Sequence, residues 1–356
     1  MSKMVRSIVC LALLIGALAL AGCGESSQTG AVQLELEGWQ SSQLEDSPEA
    51  VLAVKRADDK SDSLCLVGLD GSISTVWSAP EEFSVSLFDC DPVRKRILVR
   101  LSEMGDETFA KVSDHLVVLD STGDATVLPH RTEEFPYVAD GVFTADGAVV
   151  WVEMLESMDS IETTLSRAPI DGNPERVLLD GDVPEHHYIW SLDRCIGGEE
   201  INVVLKTQGT PATDDDFASL FCVASGDVLT VQGEPYRDDS LFTRSVTDEG
   251  VFVFMRNSVH ADELVVDLVE VVFTGSSWVE RTLISDGAFA PGFEYDTVCG
   301  RGPSGTVLVR MATRDQEENA GVLASFEPGS GSLEFTEVGI AEESIDQWIW
   351  LGDDGV

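Results

Sequence analysis

The chain has 356 residues, of which 43% are hydrophobic, so it is long and apolar enough to bury a sizeable core. Asp and Glu number 64 against 22 Lys and Arg, for a net charge of −42. This balance excludes recognition of nucleic acid by phosphate neutralisation, which needs a basic surface. We therefore expect a folded, soluble and self-repelling acidic domain with no nucleic-acid partner.

The first residues have the pattern of a secretory signal peptide. Lys3 and Arg6 precede an apolar run from Ile8 to Leu20. A basic start, a short apolar stretch and small residues before a cleavage site are typical of such signals. The run is too short to span a membrane as a helix, which needs roughly 20 apolar residues.

The end of this segment, Leu20-Ala21-Gly22-Cys23, resembles the lipobox of bacterial lipoproteins. The resemblance implies that residues 1–22 are removed and that Cys23 receives a lipid, which would anchor the chain to a membrane. Residues 23–44 then form the lipidated Cys and a flexible tether, followed by a domain over 45–356. The expected location is extracytoplasmic, on the cell-surface or periplasmic side of an envelope membrane. The alternative is an ordinary signal peptide with an incidental Cys.

Cysteine usage fits an oxidising compartment without identifying a disulfide framework. Five cysteines remain after Cys10 and Cys23 are set aside: Cys65, Cys90, Cys195, Cys222 and Cys299. Because five is odd, at least one is unpaired or pairs between chains. The preferred pair is Cys195 with Cys222, and the others are interpreted as small buried hydrophobes. No spacing resembles a zinc motif, so the sequence predicts neither a metal site nor a cofactor.

An apolar strand that ends in a charged residue recurs along the chain. Its copies are 51–55, 97–100, 149–153, 201–206, 251–256 and 306–310. The charged ends are 45 to 54 residues apart, which indicates a structural repeat. A second element keeps the same period: a strand, a turn containing Gly, and another strand, as in Leu64 to Gly71.

Six copies of two hairpins predict six four-stranded sheets. Apolar runs without strict alternation predict strands that are covered on both faces, as in stacked sheets. Radial stacking of such sheets gives an all-β six-bladed β-propeller. The segment Gln347–Leu351 should pair with Val51–Lys55 and close the ring. A β-sandwich, or a seven-bladed ring that uses Ala31–Leu36, is the alternative.

One copy of the repeat carries a family resemblance. The stretch from Phe143 to Trp151, FTADGAVVW, resembles the S-P-D-G-x-x-I-x-F strand pair of TolB-like propellers, and Phe88 to Ile97 is a looser version. The resemblance spans roughly 45–355. It implies an extracytoplasmic propeller with a role in an envelope complex or in sensing.

The connectors between blades combine aromatic and acidic residues. Tyr is enriched at binding surfaces because it joins an apolar body to a polar tip. The predicted binding face consists of Tyr137, His186, His187, Tyr188, Tyr236, Arg237 and Tyr295. The alternative is that each aromatic residue only caps its own blade.

Five of the charged strand ends are basic and define a predicted basic ring. Its members are Lys55, Arg100, Lys206, Arg256 and Arg310. A cationic inner ring would suit an anionic group near the channel. The alternative is that these residues pair with acids in neighbouring loops, such as Asp58, Glu103 or Asp315.

Catalytic motifs are missing from the sequence. It contains no G-x-S-x-G elbow and no phosphate-binding glycine loop. The predicted function is therefore a membrane-anchored binding or scaffold module for an envelope protein or a small ligand. The alternative is a metal-dependent lyase or hydrolase with its site at the channel mouth.

Overall fold

The computed structural model describes most of the repeat region and none of the first 49 residues. The described residues are 50–56, 62–68, 71–81, 83–91, 94–104, 111–120, 125–129, 137–156, 161–170, 176–177, 183, 187–194, 201–207, 219–225, 228–236, 242–246, 251–260, 263–274, 277–284, 293–301, 306–313, 319–326, 333–338 and 345–350. All of them belong to one unit, Leu36–Val356. Within these ranges no helix is long and apolar enough to cross a membrane.

The regular elements of this part of the chain are strands, as the sequence predicted. They form four-stranded antiparallel sheets, which we number in chain order and describe from the first strand outward. Sheet 1 contains β24 (Ile345–Trp350), β1 (Ala50–Lys55), β2 (Ser63–Gly68) and β3 (Ile73–Ser78). Sheet 2 contains β4 (Phe83–Asp91), β5 (Arg96–Met104), β6 (Lys111–Leu119) and β7 (Ala125–Leu128). Sheet 3 contains β8 (Tyr137–Phe143), β9 (Val149–Glu156), β10 (Ile161–Ala168) and β11 (Arg176–Val177).

The second half of the chain repeats this arrangement. Sheet 4 contains β12 (His187–Arg194), β13 (Ile201–Thr207), β14 (Ser219–Ser225) and β15 (Val228–Tyr236). Sheet 5 contains β16 (Phe242–Val246), β17 (Val251–His260), β18 (Glu263–Phe273) and β19 (Trp278–Ile284). Sheet 6 contains β20 (Phe293–Arg301), β21 (Thr306–Thr313), β22 (Asn319–Phe326) and β23 (Leu333–Val338).

Sheet 1 joins the two ends of the described chain. Its first strand β24 pairs antiparallel with β1, with Val51 opposite Trp350 and Lys55 opposite Ile345. The predicted pairing of these segments is therefore confirmed. The first strands also contact one another in the cyclic order β24, β4, β8, β12, β16, β20 and back to β24. No described first strand is left without a neighbouring first strand on either side.

The hydrophobic core lies between adjacent sheets, as β9 shows most clearly. Val149 and Trp151 belong to the cluster that sheet 3 shares with sheet 2. Val150 and Val152 alternate with them and belong to the cluster shared with sheet 4. All four are at most 1% exposed. Alternating side chains enter two different cores, which is why the sequence shows a continuous apolar run.

The first strand of every sheet is interrupted by a β-bulge against the second strand. In sheets 2, 3 and 4 the residue left unpaired at the bulge is Phe88, Ala139 and Trp190, respectively. These positions are 51 residues apart, which equals the period of the repeat. A bulge bends the strand and redirects the side chain at that point.

Side-chain oxygens of one sheet accept hydrogen bonds from backbone N–H groups of the next first strand. Three of the acceptors lie on the preceding first strand. Gln347 accepts a hydrogen bond from Leu87 N at 2.7 Å, Asp89 accepts one from Phe143 N at 2.7 Å, and Asp140 accepts one from Leu192 N at 2.9 Å. Three more acceptors lie on the third strand of the preceding sheet or directly before that strand. Asp62 accepts a hydrogen bond from Val85 N at 2.9 Å, Asp114 accepts one from Val138 N at 2.8 Å, and Thr163 accepts one from Ile189 N at 2.9 Å. Thus β4, β8 and β12 are each held at two points. These bonds satisfy backbone N–H groups of the first strands that have no acceptor within their own sheet.

Three of the four carboxylates in these contacts, Asp62, Asp114 and Asp140, are buried, and further donors orient them. Asp114 is 0% exposed and Asp140 is 4% exposed. The other oxygen of Asp114 accepts from Ser102 Oγ at 2.7 Å, and that of Asp140 from Gly141 N at 2.9 Å. Part of the acidic composition therefore holds the sheets together, in addition to the solvated surface that the sequence suggested.

The predicted Cys195–Cys222 disulfide is wrong. Cys222 is a free thiol, 1% exposed, in the apolar cluster between sheets 3 and 4. Burial raises its pKa to about 12, so the reactive thiolate form is strongly disfavoured. Cys195 lies outside the described residues.

Replacing Asp140 should weaken the junction between sheets 3 and 4. Asp140→Ala leaves the N–H groups of Gly141 and Leu192 without an acceptor in a buried place, which costs about 1–3 kcal/mol per group. Asp140→Asn keeps one acceptor oxygen and should lose less. The measurement is the free energy of unfolding by urea, with exposed Glu162→Ala as the matched control. Equal unfolding free energies for Asp140→Ala and Glu162→Ala would contradict this role of Asp140.

Candidate functional site

An exposed aromatic side chain marks the first strand of sheet 4. Trp190 occupies the bulge of β12 and is 38% exposed. The equivalent bulge residue of sheet 2, Phe88, is 7% exposed and belongs to the core. The equivalent residue of sheet 3 is the small Ala139. The bulge position therefore does not require an exposed indole for packing.

Trp190 lies between a phenol and an ammonium group. The ring of Tyr188 contacts the indole edge to face, with centroids 6.1 Å apart. The Nζ atom of Lys206 lies over the indole at 3.8 Å from the ring centroid, within the range of a cation–π interaction. Tyr188 and Lys206 are direct cross-strand partners in the β12–β13 ladder. We call Tyr188, Trp190 and Lys206 the aromatic–lysine cluster.

The burial of Tyr188 affects its hydroxyl group. The side chain is half-buried, and desolvation raises the pKa of the phenol above its ordinary value of 10.0. The hydroxyl is therefore protonated at neutral pH and can donate as well as accept a hydrogen bond. The cluster thus combines an apolar surface, a neutral hydroxyl and a positive charge.

The same register in sheet 2 holds a different arrangement. Arg100 is the cross-strand partner of Ser86, as Lys206 is of Tyr188. The guanidinium of Arg100 donates to Ser86 Oγ and to the backbone oxygen of Val138, both at 2.7 Å, and lies over Phe88 at 5.3 Å. Arg100 therefore joins sheet 2 to sheet 3. Its removal would weaken this junction, so it is a poor probe for ligand binding alone.

The residues of the predicted binding face are distributed over three sheets. Tyr137 and His187 begin β8 and β12, Tyr236 ends β15, and Tyr295 lies in β20. The structure brings Tyr188 into the aromatic–lysine cluster. His186 and Arg237 lie outside the described residues.

The predicted basic ring has a common backbone register in four sheets. In each of these sheets one residue of the second strand lies beside the bulge, and the basic residue follows it directly in the chain. The pairs are Val54 and Lys55, Val99 and Arg100, Leu205 and Lys206, and Val309 and Arg310. In sheet 3 this position is Met154, and Glu153 flanks the bulge. Arg256 lies in β17 opposite Asp267 of β18.

Sequence reasoning missed Trp190, although a signal was present. The bulge residues Phe88, Ala139 and Trp190 follow the 51-residue period, so comparing equivalent positions shows Trp190 as the largest of the three. The connector residues were predicted to form the binding face because aromatic and acidic residues lie side by side in the connectors. Trp190 lies inside a strand and lacks that local pattern.

The stretch that resembles the TolB-like motif forms a tight turn between β8 and β9. Gly147 N donates to Thr144 O at 2.8 Å, and Gly147 has a φ of 87°. An L side chain rarely adopts this φ, so Gly is required for the conformation, and a Cβ here would also lie 2.9 Å from side-chain atoms of Arg94 and Arg96, which would have to shift. Arg94 also donates to Ala145 O at 2.7 Å, which ties sheet 2 to this turn.

Two aspartates near this turn are stabilised in their ionised form. Burial alone would raise the pKa of Asp91, but hydrogen bonds from the backbone and side chain of Arg94 and from Arg96 outweigh it and lower the pKa. A hydrogen bond from Thr144 and the ion pair with Arg167 lower the pKa of Asp146. Each arginine pairs with an aspartate of its own sheet, and the contact of Arg94 with Ala145 O links sheets 2 and 3, so we interpret this network as structural.

Metal-ligating residues do not converge within the described ranges. No group of three or more His, Cys, Asp or Glu side chains there could hold a metal ion. The aromatic–lysine cluster is thus the candidate site that the described side chains define best.

Comparisons with known proteins give no family for this chain. No protein-family model matches it, and no curated protein matches it. Among solved structures, it is similar to the polysaccharide lyase Uly1, with a TM-score of 0.40 and 10% identity over 83% of this chain and 80% of the lyase. It is also similar to dipeptidyl peptidase 4 of Porphyromonas gingivalis, with a TM-score of 0.39 and 11% identity over 85% of this chain. The chain spans about half the length of the peptidase, 53%. Similarity this low carries no argument about the activity of this chain.

Proposed function

We propose that the chain is a lipid-anchored cell-envelope protein whose six-bladed β-propeller binds a protein or small ligand. The propeller is supported by the cyclic contacts of the first strands and by the β24–β1 pair. Each sheet would be one blade, with its first strand nearest the central axis. The resemblance of Phe143–Trp151 to TolB-like propellers agrees with this arrangement.

The lipid anchor is supported by the N-terminal sequence. A basic start, an apolar run and the Leu20-Ala21-Gly22-Cys23 motif occur in the order expected for a lipoprotein signal. A single acyl-modified Cys followed by a polar tether would hold the propeller within tens of ångströms of the membrane. The negative charge of the domain would keep it from adhering to anionic lipid headgroups.

The aromatic–lysine cluster is the observation that carries the binding role. Trp and Tyr are enriched among the residues that dominate binding energy, because large rigid rings bury much area at little entropic cost. Trp190 and Tyr188 lie on a first strand, next to the proposed channel. The rest of the first strand is held rigidly by the preceding sheet through Ile189 and Leu192, so the cluster is preorganised.

Replacing Cys23 tests the anchor. Cys23→Ser removes the thiol that would carry the lipid, so the protein should move from the membrane fraction to the soluble fraction of fractionated cells. Cys10→Ser, in the apolar run of the signal, is the matched control and should leave the protein in the membrane fraction. Membrane retention of Cys23→Ser would contradict lipid anchoring at this residue.

Photo-crosslinking in intact cells tests the binding role. A photoreactive phenylalanine analogue at position 190, which keeps an aromatic ring there, should capture a ligand or partner, which mass spectrometry detects as a defined increase in mass. The same amino acid at position 231 is the control, because Val231 is also exposed, at 44%, but lies on the fourth strand β15 of the same sheet. Equal capture at both positions, or none at position 190, would contradict a binding role for the cluster.

A further inference from the structure

The size of Trp190 is not explained by the repeat. The repeat accommodates a buried Phe88 or a small Ala139 at the equivalent bulges, whereas Trp190 is 38% exposed. Leaving a large aromatic surface in water forgoes the hydrophobic stabilisation that its burial would provide. The exposed ring surface suits contact with a flat apolar face of a ligand.

Lys206 adds a positive charge at a defined distance from this surface. Sheet 2 has Arg100 and Ser86 at the equivalent register, and Arg100 joins this sheet to sheet 3 through the backbone oxygen of Val138. Sheet 4 has Lys206 and Tyr188 instead, and the ammonium lies over Trp190 at 3.8 Å. The ammonium is a compact positive charge with three N–H donors, so an anion that approaches the indole comes within its electrostatic attraction. A carboxylate beside a ring face would meet the ammonium and the indole together.

The total charge of the protein limits how much negative charge the ligand can bear. A net charge of −42 repels polyanions over the range of the Debye length. A single carboxylate gains the local attraction of Lys206 while it suffers least from this repulsion. The surroundings therefore favour a monoanion over a highly charged polymer.

From these three observations we infer that the aromatic–lysine cluster recognises a monocarboxylate whose ring has an apolar face, either a hexuronic acid or an aromatic acid. The carboxylate pairs with Lys206, the ring packs against Trp190, and the neutral hydroxyl of Tyr188 supplies a hydrogen bond. This inference rests on the proposed binding function and specifies the ligand of the same site.

Isothermal titration calorimetry of the purified full chain in detergent tests the inference with paired probes. Glucuronate is compared with glucose, and benzoate with benzamide, so that each pair differs mainly in the charged group. We expect the acid of at least one pair to bind at least about tenfold more tightly than its neutral partner, as for a charge-assisted contact. Binding of glucuronate alone identifies the ligand as a sugar acid, and binding of benzoate alone identifies an aromatic acid.

Variants separate the roles of charge and ring. Lys206→Met should weaken binding of the acid by about tenfold, whereas Lys206→Arg should retain most of the affinity. Trp190→Ala should weaken binding of the acid at least as much, because the ring contact is lost. Val231→Ala is the control and should bind like the unchanged protein, and a common thermal unfolding midpoint shows that each variant is folded.

Three results would overturn the inference: no probe binds, the neutral partners bind as tightly as the acids, or Lys206→Met binds the acid unchanged. Photo-crosslinking distinguishes failure of this ligand assignment from failure of the proposed binding function. If position 190 still captures a ligand by photo-crosslinking, the binding role stands and only this ligand class falls. Membrane partitioning of Cys23→Ser tests the anchor independently of both.

Discussion

The arrangement of this protein depends on hydrogen bonds that the first strand of each sheet cannot make within its own sheet. A first strand is an edge strand, and its remaining N–H groups are buried between sheets. In the part of the chain where these contacts are described, the preceding sheet supplies the acceptors, such as Asp114 for Val138 and Asp140 for Leu192. Because the acceptors come from the neighbouring sheet, the bonds that satisfy one strand also fix the position of the next sheet.

The same constraint connects the fold to the candidate site. Thr163 and Asp140 hold β12 on both sides of the bulge at Trp190. The bulge residue has no cross-strand partner in the ladder, so its side chain does not follow the alternating pattern that directs the neighbouring side chains into the core. Where this residue is Phe88 it enters the core, and where it is Trp190 it remains exposed beside Lys206. The proposed binding surface is thus a variant of a repeated structural position.

The sequence predicted the parts of the fold that depend on hydrophobic pattern and turn chemistry. The recurring apolar strands, the four-stranded sheets and the pairing of the two terminal strands followed from period and composition. The alternation of Val149–Val152 between two cores was implied by the continuous apolar run. The role of Gly71, at a φ of 80°, also followed from its place in an expected turn.

Other features were beyond a single sequence because they depend on contacts between distant residues. Nothing near Asp89 or Asp140 indicates that each accepts a backbone hydrogen bond from residues more than 50 positions away. The burial of Cys222 among apolar side chains and the contact of Lys206 with Trp190 depend equally on strand register. Arg100 and Lys206 share a register, yet one joins two sheets and the other lies on an exposed ring.

Removing β24 tests most directly whether the two ends of the chain close a ring. A chain that ends at residue 344 lacks the strand that pairs with β1 and whose Gln347 accepts from Leu87 in sheet 2. The measurement is thermal unfolding followed by circular dichroism, with a chain that ends at residue 350 as the control. A closed ring predicts that the shorter chain loses its cooperative transition, because one first strand and both of its contacts are gone. A transition of unchanged midpoint and steepness would contradict closure by β24.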